Sequence, residues 1–163
     1  MRNKKVLFAV QAAMIAALYV VLTYITNLLG LASGTIQVRF SEALCILPVF
    51  TPAAIPGLFI GCLISNLITG GIIWDIIFGS LATLLGAVFT YLLRKHEKLA
   101  AIPPILSNTL IVPLVLKWAY GVPDALLYLF LTVGLGEVIS CGIFGMILLY
   151  ALKPHAKTLF SQN

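Results

Sequence analysis

Long apolar runs separated by short polar segments dominate the pattern of this chain. Each long run is close to the ~20 residues that a helix needs to cross the hydrocarbon core of a bilayer. The segment 41–69 contains Pro48, Pro52 and Pro56, so it is either two short helices that separate near Thr51 and Pro52 or one kinked span. With two helices there, the pattern predicts six helices, at 6–29, 41–51, 53–69, 75–93, 99–117 and 125–152.

The composition indicates an all-α integral membrane protein. Of the 163 residues, 61% are hydrophobic and 9% are charged, and the mean hydropathy is +1.11. A soluble domain is about 25% charged, so an ordinary soluble globule, a disordered chain and a basic nucleic-acid-binding domain are excluded. Six spans use nearly the whole chain. We therefore expect a single transmembrane domain, residues 1–163, without room for a soluble catalytic or ATP-binding domain.

The distribution of basic residues predicts which side of the membrane each loop faces. Six spans place eight of the ten Lys and Arg residues on one side, whereas five spans divide them four to six. Because short cytoplasmic loops are enriched in Lys and Arg, the pattern favours six helices in one bundle with both termini in the cytoplasm. The eight residues predicted to be cytoplasmic are Arg2, Lys4, Lys5, Arg94, Lys95, Lys98, Lys153 and Lys157.

Neither the cysteines nor any short motif predicts catalysis by this chain. Cys45, Cys62 and Cys141 all lie in apolar runs. An odd number of cysteines, without a CxxC motif or a nearby histidine, indicates small packing residues rather than a disulfide framework or a metal site. The sequence contains no Walker A, HExxH or GxSxG motif. We therefore expect no enzymatic activity, no catalytic residues and no cofactor in this chain.

Two glutamates within apolar sequence are the first candidates for function, because an ionisable group in hydrocarbon is costly and usually faces the bundle interior. Glu137 lies inside the last predicted helix, after Gly134 and Gly136; the alternative is a hydrogen-bonding anchor between helices. Glu42 follows Arg39 by three residues, so the two could pair on one helix face. Ser41 could equally cap that helix.

Three further polar side chains, on other predicted helices, complete a predicted binding pocket. It consists of Glu42, Asn66, Asp75, Asn108 and Glu137, with Arg39, Trp74, Lys117 and Trp118 as additional candidates. Asp75 could instead be a favourable charge at a helix N-terminus, and the tryptophans could belong to the aromatic belt at the membrane interface. Carboxylates accept N–H groups, amides donate and accept, and aromatic rings stack, so the pocket suits a small polar, aromatic or cationic molecule.

The first predicted helix carries small residues at four-residue spacing, a pattern that allows another helix to pack closely. The pattern indicates either a docking face for a second membrane protein or packing inside the bundle. The third predicted helix has a similar series, Gly57, Gly61 and Ser65, for which internal packing is favoured. The residues of the first series are Ala9, Ala12, Ala13, Ala16 and Ala17.

Five runs, which follow one another along nearly the whole chain, resemble the QueT family of transport proteins. The runs are QVRFSEAL at 37–44, LP at 47–48, AIPGLFIGCLISNL at 54–67, DIIFGSLATL at 75–84 and VGLGE at 133–137. Members of that family are the substrate-binding S components of energy-coupling factor (ECF) transporters that import queuosine precursors. The resemblance implies six helices, cytoplasmic termini and a pocket near the outer surface of a bacterial plasma membrane.

The resemblance also implies partners and a ligand. The partners are a transmembrane T component and two cytoplasmic ATPases that use the ATP, and the alanine series is similar to the docking motif for the T component. The implied ligand is a 7-deazaguanine, such as queuine or its aminomethyl precursor. We expect Glu137 to bind the base edge and Glu42 or Asp75 to bind the amine, or the reverse, while Asn66 and Asn108 contact the carbonyl and ring nitrogens.

Two other functions remain open from the residues alone. The first is a stand-alone proton- or ion-coupled carrier of a small cationic or aromatic solute, with Glu137 as the proton site. The second is a scaffold protein for membrane assembly that binds no small molecule. The carrier would transport under an ion gradient without an ATPase, whereas an S component would only bind.

Overall fold

The computed structural model describes residues 3–32 and 36–160, except the side chain of Lys157, and all regular elements within these ranges are helical. Arg2, one of the residues predicted to be cytoplasmic, lies outside the described residues. The principal elements are α1 (Lys4–Leu28), a 3₁₀ helix (Phe40–Val49), α2 (Ala54–Ile68), α3 (Ile73–Leu92), α4 (Ile102–Trp118), α5 (Leu126–Glu137), a π-helical segment (Val138–Gly145) and α6 (Met146–Leu152). Short turns at Glu97–Leu99 and Lys153–His155 and the four-residue α7 (Ala156–Leu159) complete them.

Among the described residues, four helices are long and apolar enough to cross a membrane. They are Lys4–Leu28, Ile73–Leu92, Glu97–Trp118 and Leu126–His155. The 3₁₀ helix and α2 are apolar but shorter. The structure therefore supports an all-helical membrane protein, while the six-span arrangement and the cytoplasmic termini stay predictions.

The proline-rich segment 41–69 forms two elements, the first of the two alternatives. The 3₁₀ helix ends and α2 begins on either side of Pro52. Pro52 has no backbone N–H, and the residue before a proline is disfavoured in the helical region. That residue is Thr51, which lies between the two helices. Its hydroxyl donates a hydrogen bond to the side chain of Gln11 on α1, at 3.0 Å.

The 3₁₀ helix lies at the centre of the bundle. Its residues 41–48 are all buried, and it packs against α1, α3 and the π-helical segment. Helices α1 to α5 pack against one another in chain order around it. Runs of 3₁₀ helix longer than three or four residues are uncommon, so the surrounding helices stabilise this one. The 3₁₀ helix and the π-helical segment, both irregular, therefore contact each other inside the bundle.

Small residues determine how closely α1 and α2 approach. A Cβ atom added at Gly57 would lie 2.7 Å from the carbonyl oxygen of Ala12, and one at Gly61 would lie 3.0 Å from that of Ala16. Ala12 and Ala16 therefore pack within the chain, as the internal-packing alternative has it. The alanines of the series that remain exposed are Ala9, Ala13 and Ala17.

Two of the segments predicted to be cytoplasmic meet at one end of the bundle. The Lys153 ammonium, after α6, forms an ion pair with Glu97, which lies between α3 and α4. At the same end, the amide nitrogen of Gln11 donates to the carbonyl oxygen of Leu159 at 3.3 Å. The opposite end of the bundle, where α3 begins and α4 ends, contains the polar cavities.

Candidate functional site

Glu42 projects from the 3₁₀ helix into the centre of the bundle, where it is 2% exposed. The Tyr19 hydroxyl of α1 donates a hydrogen bond to its Oε1 atom. Oε2 accepts from the Asn108 amide of α4 at 3.2 Å and from the Cys45 thiol at 3.1 Å. A buried carboxylate is costly unless it is hydrogen-bonded, and these donors from three elements stabilise it.

Glu137 is the last residue of α5, at the start of the π-helical segment, and it is 8% exposed. Its Oε2 atom accepts a hydrogen bond from the thiol of Cys141 at 3.4 Å. The Cys141 sulfur also lies 3.2 Å from the carbonyl oxygen of Glu42. A single thiol therefore bridges the Glu137 side chain and the Glu42 backbone.

The two glutamates line the same narrow space, which we call the inner cleft. Its free volume is about 20 Å³, which is room for about one water molecule. Five of the predicted site residues line this cleft: Arg39, Glu42, Asp75, Asn108 and Glu137. The lining residues are Gln37, Arg39, Glu42, Cys62, Asp75, Gly79, Thr83, Asn108, Val112, Val133 and Glu137.

A larger space, the mouth cavity, adjoins the inner cleft. Its volume of about 390 Å³ is within the range of ~300–1,000 Å³ typical of small-molecule sites. Gln37, Arg39, Asp75 and Val112 belong to both spaces and separate them. The full lining is Thr23, Asn27, Ala32, Gln37, Arg39, Asn66, Thr69, Gly70, Gly71, Asp75, Val112, Leu116, Tyr120 and Val122.

Arg39 and Glu42 do not pair as the three-residue spacing suggested. In the part of the chain that the structure describes, no ion pair joins them, because the Glu42 carboxylate turns inward toward Tyr19 and Asn108. Ser41 is not the helix cap either. Its hydroxyl accepts a hydrogen bond from Thr23 at 2.8 Å, and Arg39 occupies the cap position without a capping side-chain bond.

The segment before the 3₁₀ helix, residues 36–39, covers the inner cleft beside Glu137, and we call it the strap. A Cβ atom at Gly136 would lie 2.1 Å from the carbonyl oxygen of Gln37, so the strap rests directly on the α5 backbone. The backbone N–H of Arg39 donates to the Ser140 hydroxyl at 3.0 Å. Gly136 therefore permits the strap to lie in direct contact with α5.

Asp75 and Tyr120 form a polar contact in the wall of the mouth cavity. The Tyr120 hydroxyl donates to the Asp75 carboxylate at 3.1 Å and accepts from the Ile72 N–H at 3.3 Å. Partial burial, together with the Asp75 charge, raises the pKa of Tyr120, so the phenol keeps its proton. The Asn66 amide lies 3.5 Å from the Asp75 carbonyl oxygen, which places both predicted residues at this cavity.

The remaining three predicted side chains lie away from these spaces. Trp74 and Trp118 are 53% and 72% exposed and line an apolar groove between α3 and α4, a placement compatible with the aromatic-belt alternative. The Lys117 ammonium donates to three carbonyl oxygens of residues 122–124 at 2.8–3.3 Å. It supplies hydrogen-bond donors to the carbonyl groups of the loop after α4 and is not part of the wall of the inner cleft.

Three side chains hold the site together although they are not among the residues predicted from the sequence: Tyr19, Cys45 and Tyr120. Tyr19 was hidden in an apolar run, although a polar series at helical spacing on the buried face of α1 marks it: Gln11, Tyr19, Thr23 and Thr26. The sequence predicts only a packing role for Cys45, and Tyr120 is not among the predicted site residues. Tyr19 and Tyr120 bind Glu42 and Asp75, which are distant in the sequence. Cys45 binds Glu42 on the same helix, whose 3₁₀ geometry the hydropathy pattern does not predict.

Comparison with known proteins gives matches to transporters and not to enzymes. A family model described as QueT transporter matches residues 9–154. A curated protein described as queuosine precursor transporter QueT, from Lactococcus lactis subsp. cremoris (strain MG1363), is 40% identical over 85 residues. The aligned part is 52% of this chain and 49% of the relative, so the match spans about half the length of that relative. No solved structure matches significantly.

Proposed function

Since the chain belongs to the QueT transporter family, we propose that it is the substrate-binding membrane subunit of an ECF-type importer of a queuosine precursor. It is a multi-pass membrane protein and a transporter component, not an enzyme. In this proposal it captures a 7-deazaguanine, such as queuine or its aminomethyl precursor, at the outer face of a bacterial plasma membrane. A T component and two ATPases complete the importer and use the ATP.

The convergence of Glu42, Asn108 and Glu137 on one cleft is the observation that carries the proposal. A guanine-like base edge offers adjacent N–H donors, which one carboxylate accepts as a bidentate, charge-assisted pair. The second carboxylate is available for an amine on the ligand. The amides of Asn108 and Asn66 can donate to the carbonyl group and accept from ring N–H groups.

The volumes suggest an order of binding. The mouth cavity has room for a base-sized ligand, whereas the inner cleft holds about one water molecule. The ligand would therefore enter beside Asp75, Asn66 and Tyr120, and then reach the two glutamates as the strap moves away from Gly136. Return of the strap would enclose the ligand.

The exposed alanines of α1 support a docking face for the T component. Ala9, Ala13 and Ala17 form a flat outward stripe, and small residues let a second membrane helix approach closely. Ala12 and Ala16 contribute indirectly, because their packing on α2 holds α1 in place.

A binding titration with purified protein tests the proposal. Queuine and the aminomethyl precursor are expected to bind, and guanine, riboflavin and thiamine to bind at least about tenfold more weakly. Glu42→Gln and Glu137→Gln each remove a charge-assisted hydrogen bond, worth about 1.5–3 kcal/mol, so affinity should fall by about tenfold or more. Glu97→Gln, outside the cavities, is the matched control. Unchanged binding in both cavity variants, with folding retained, would refute the proposed site.

Proteoliposomes separate the importer from the stand-alone carrier. We expect the chain alone to bind its ligand without accumulating it under a proton or sodium gradient. Accumulation should require ATP and the partner proteins. Gradient-driven uptake by the chain alone would instead establish the carrier.

A further inference from the structure

Two glutamate–cysteine pairs meet in the core of the bundle. The first pair lies on the 3₁₀ helix, where residues i and i+3 eclipse, so that Cys45 stacks directly beside Glu42 with its sulfur 3.1 Å from Oε2. The second pair spans one turn at the start of the π-helical segment, with the Cys141 sulfur 3.4 Å from Oε2 of Glu137. The 3₁₀ helix therefore presents a carboxylate together with a thiol, and the junction between α5 and the π-helical segment does the same.

The two pairs face each other. The 3₁₀ helix packs against the π-helical segment, and the Glu42 carboxylate and the sulfurs of Cys45 and Cys141 all lie within 4.8 Å of one another. Both cysteines are 0% exposed. π-Helical segments are rare and occur frequently at functional sites, and this one carries Cys141.

The sulfur–oxygen spacing within each pair is close to that of a tetrahedral metal site. With a Zn–S bond of about 2.3 Å and a Zn–O bond of about 2.0 Å, neighbouring ligand atoms of a tetrahedron lie about 3.3 Å (oxygen–oxygen), about 3.5 Å (sulfur–oxygen) and about 3.8 Å (sulfur–sulfur) apart. The two observed sulfur–oxygen distances, 3.1 and 3.4 Å, are shorter than the sulfur–oxygen spacing of such a tetrahedron by a few tenths of an ångström. Small side-chain movements would therefore bring each sulfur–oxygen pair to metal-ligand spacing.

We propose that Glu42, Cys45, Glu137 and Cys141 form a binding site for a soft divalent cation of the Zn²⁺ class. The ion replaces the protons of the Cys45 and Cys141 thiols, which now donate to neighbouring oxygen atoms. Two S–H bonds break, two metal–thiolate bonds form, and two protons leave to solvent. The two new thiolates balance the charge of the ion. Ion and protons pass through the inner cleft, whose wall includes both carboxylates.

Titration of the full chain with Co²⁺, a coloured substitute for Zn²⁺, tests the proposal. The chain is purified in detergent, reduced and freed of metals with a chelator. We expect one equivalent of Co²⁺ to give the thiolate-to-metal charge-transfer absorption of a tetrahedral site, and Zn²⁺ to abolish it by displacement. Surface carboxylates and histidines cannot produce that absorption, because they carry no thiolate.

Serine variants identify the ligands. Cys45→Ser and Cys141→Ser should each weaken Co²⁺ binding at least about tenfold, and the double variant should show no charge-transfer band. Cys62→Ser is the matched control, since this third buried cysteine contacts Thr83 and Asn66 instead, and it should keep the band. Absence of the band in the wild-type chain, or its persistence in the double variant, would overturn the proposal.

Alkylation of the wild-type chain keeps the proposal testable if the serine variants do not fold. Zn²⁺ should slow modification of Cys45 and Cys141 by a maleimide, followed by mass spectrometry of peptides, and leave Cys62 unchanged. Equal rates with and without Zn²⁺ would refute the site. Neither measurement uses a deazaguanine, so failure of this inference is distinguishable from failure of the importer proposal.

Discussion

The hydroxyl of Tyr19 donates a hydrogen bond to the carboxylate of Glu42 in the centre of the bundle. Tyr19 is 1% exposed and comes from α1, whereas Glu42 comes from the 3₁₀ helix. The bond orients the carboxylate whose other oxygen accepts from Asn108 and Cys45. It therefore connects the stability of the core to the geometry of the proposed ligand site.

Tyr19→Phe tests that connection. The substitution keeps the ring and leaves one buried carboxylate oxygen without its donor, which costs about 1–3 kcal/mol. Thermal unfolding in detergent should begin at a lower temperature, and ligand affinity should fall. Tyr24→Phe on the exposed face of the same helix should change neither quantity. A Tyr19→Phe protein with wild-type stability and affinity would contradict the structural role of this bond.

Gly136→Ala should displace the strap. A Cβ atom at this position would lie 2.1 Å from the carbonyl oxygen of Gln37, and forced overpacking typically costs about 1–3 kcal/mol. We expect weaker ligand binding together with faster labelling of a cysteine placed at position 37. At Gly142 the nearest atoms would be 3.7 Å away, so Gly142→Ala is the control. Equal behaviour of the two variants would show that the strap does not depend on this contact.

The buried and exposed faces of α1 should respond differently to added bulk. Gly61 of α2 packs against the buried face, and Gly61→Ala puts a Cβ atom 2.8 Å from that of Tyr19, so the isolated chain should lose stability. Ala13→Trp, on the exposed face, should leave its unfolding temperature unchanged and abolish co-purification with the T component. Met14→Trp, also exposed, serves as the control for bulk alone. Normal assembly of the Ala13→Trp protein would remove the proposed docking face.

Tyr120→Phe should alter entry of the ligand rather than the core. The substitution removes the donor to Asp75 and the acceptor for the Ile72 amide, in a part of the wall that is exposed. The association rate should change about two- to tenfold, equivalent to the ~0.5–1.5 kcal/mol of a typical hydrogen bond, with an unaltered unfolding temperature. Tyr128→Phe, exposed on α5, controls for the loss of a hydroxyl. An association rate equal to wild type would place the entry route elsewhere.

The contact between Tyr120 and Asp75 should persist through the physiological pH range. Because the pKa of Tyr120 is raised, the phenol remains a donor below its usual pKa of about 10. The bond is lost only as the pH rises through that raised pKa. Association rates measured between pH 6 and about 9 should therefore show no step that Tyr120→Phe abolishes, and such a step would contradict this assignment.

Helix positions and the polar candidates could be predicted from the sequence because both depend on local properties. Apolar runs of spanning length predict helices regardless of their neighbours, and Glu42, Asp75, Asn108 and Glu137 were conspicuous because polar groups are costly in hydrocarbon. The structure brings these four to one cleft. Trp74, Lys117 and Trp118 lie away from that cleft, since an end-of-helix position does not specify which way a side chain turns.

What only the tertiary structure decided is which side chains meet. Hydropathy does not distinguish a 3₁₀ helix from an α-helix, yet the 3₁₀ geometry stacks Cys45 on Glu42, and packing of that helix against the π-helical segment brings Cys141 to the Glu42 backbone. Tyr19 and the strap reach the site through contacts between segments far apart in the chain. The sequence by itself determined a helical membrane protein with buried acids. The free-energy cost of placing a carboxylate in an apolar helix depends only on that residue and its neighbours in the sequence. The partners of these acids depend on helix packing, which is a property of the whole bundle.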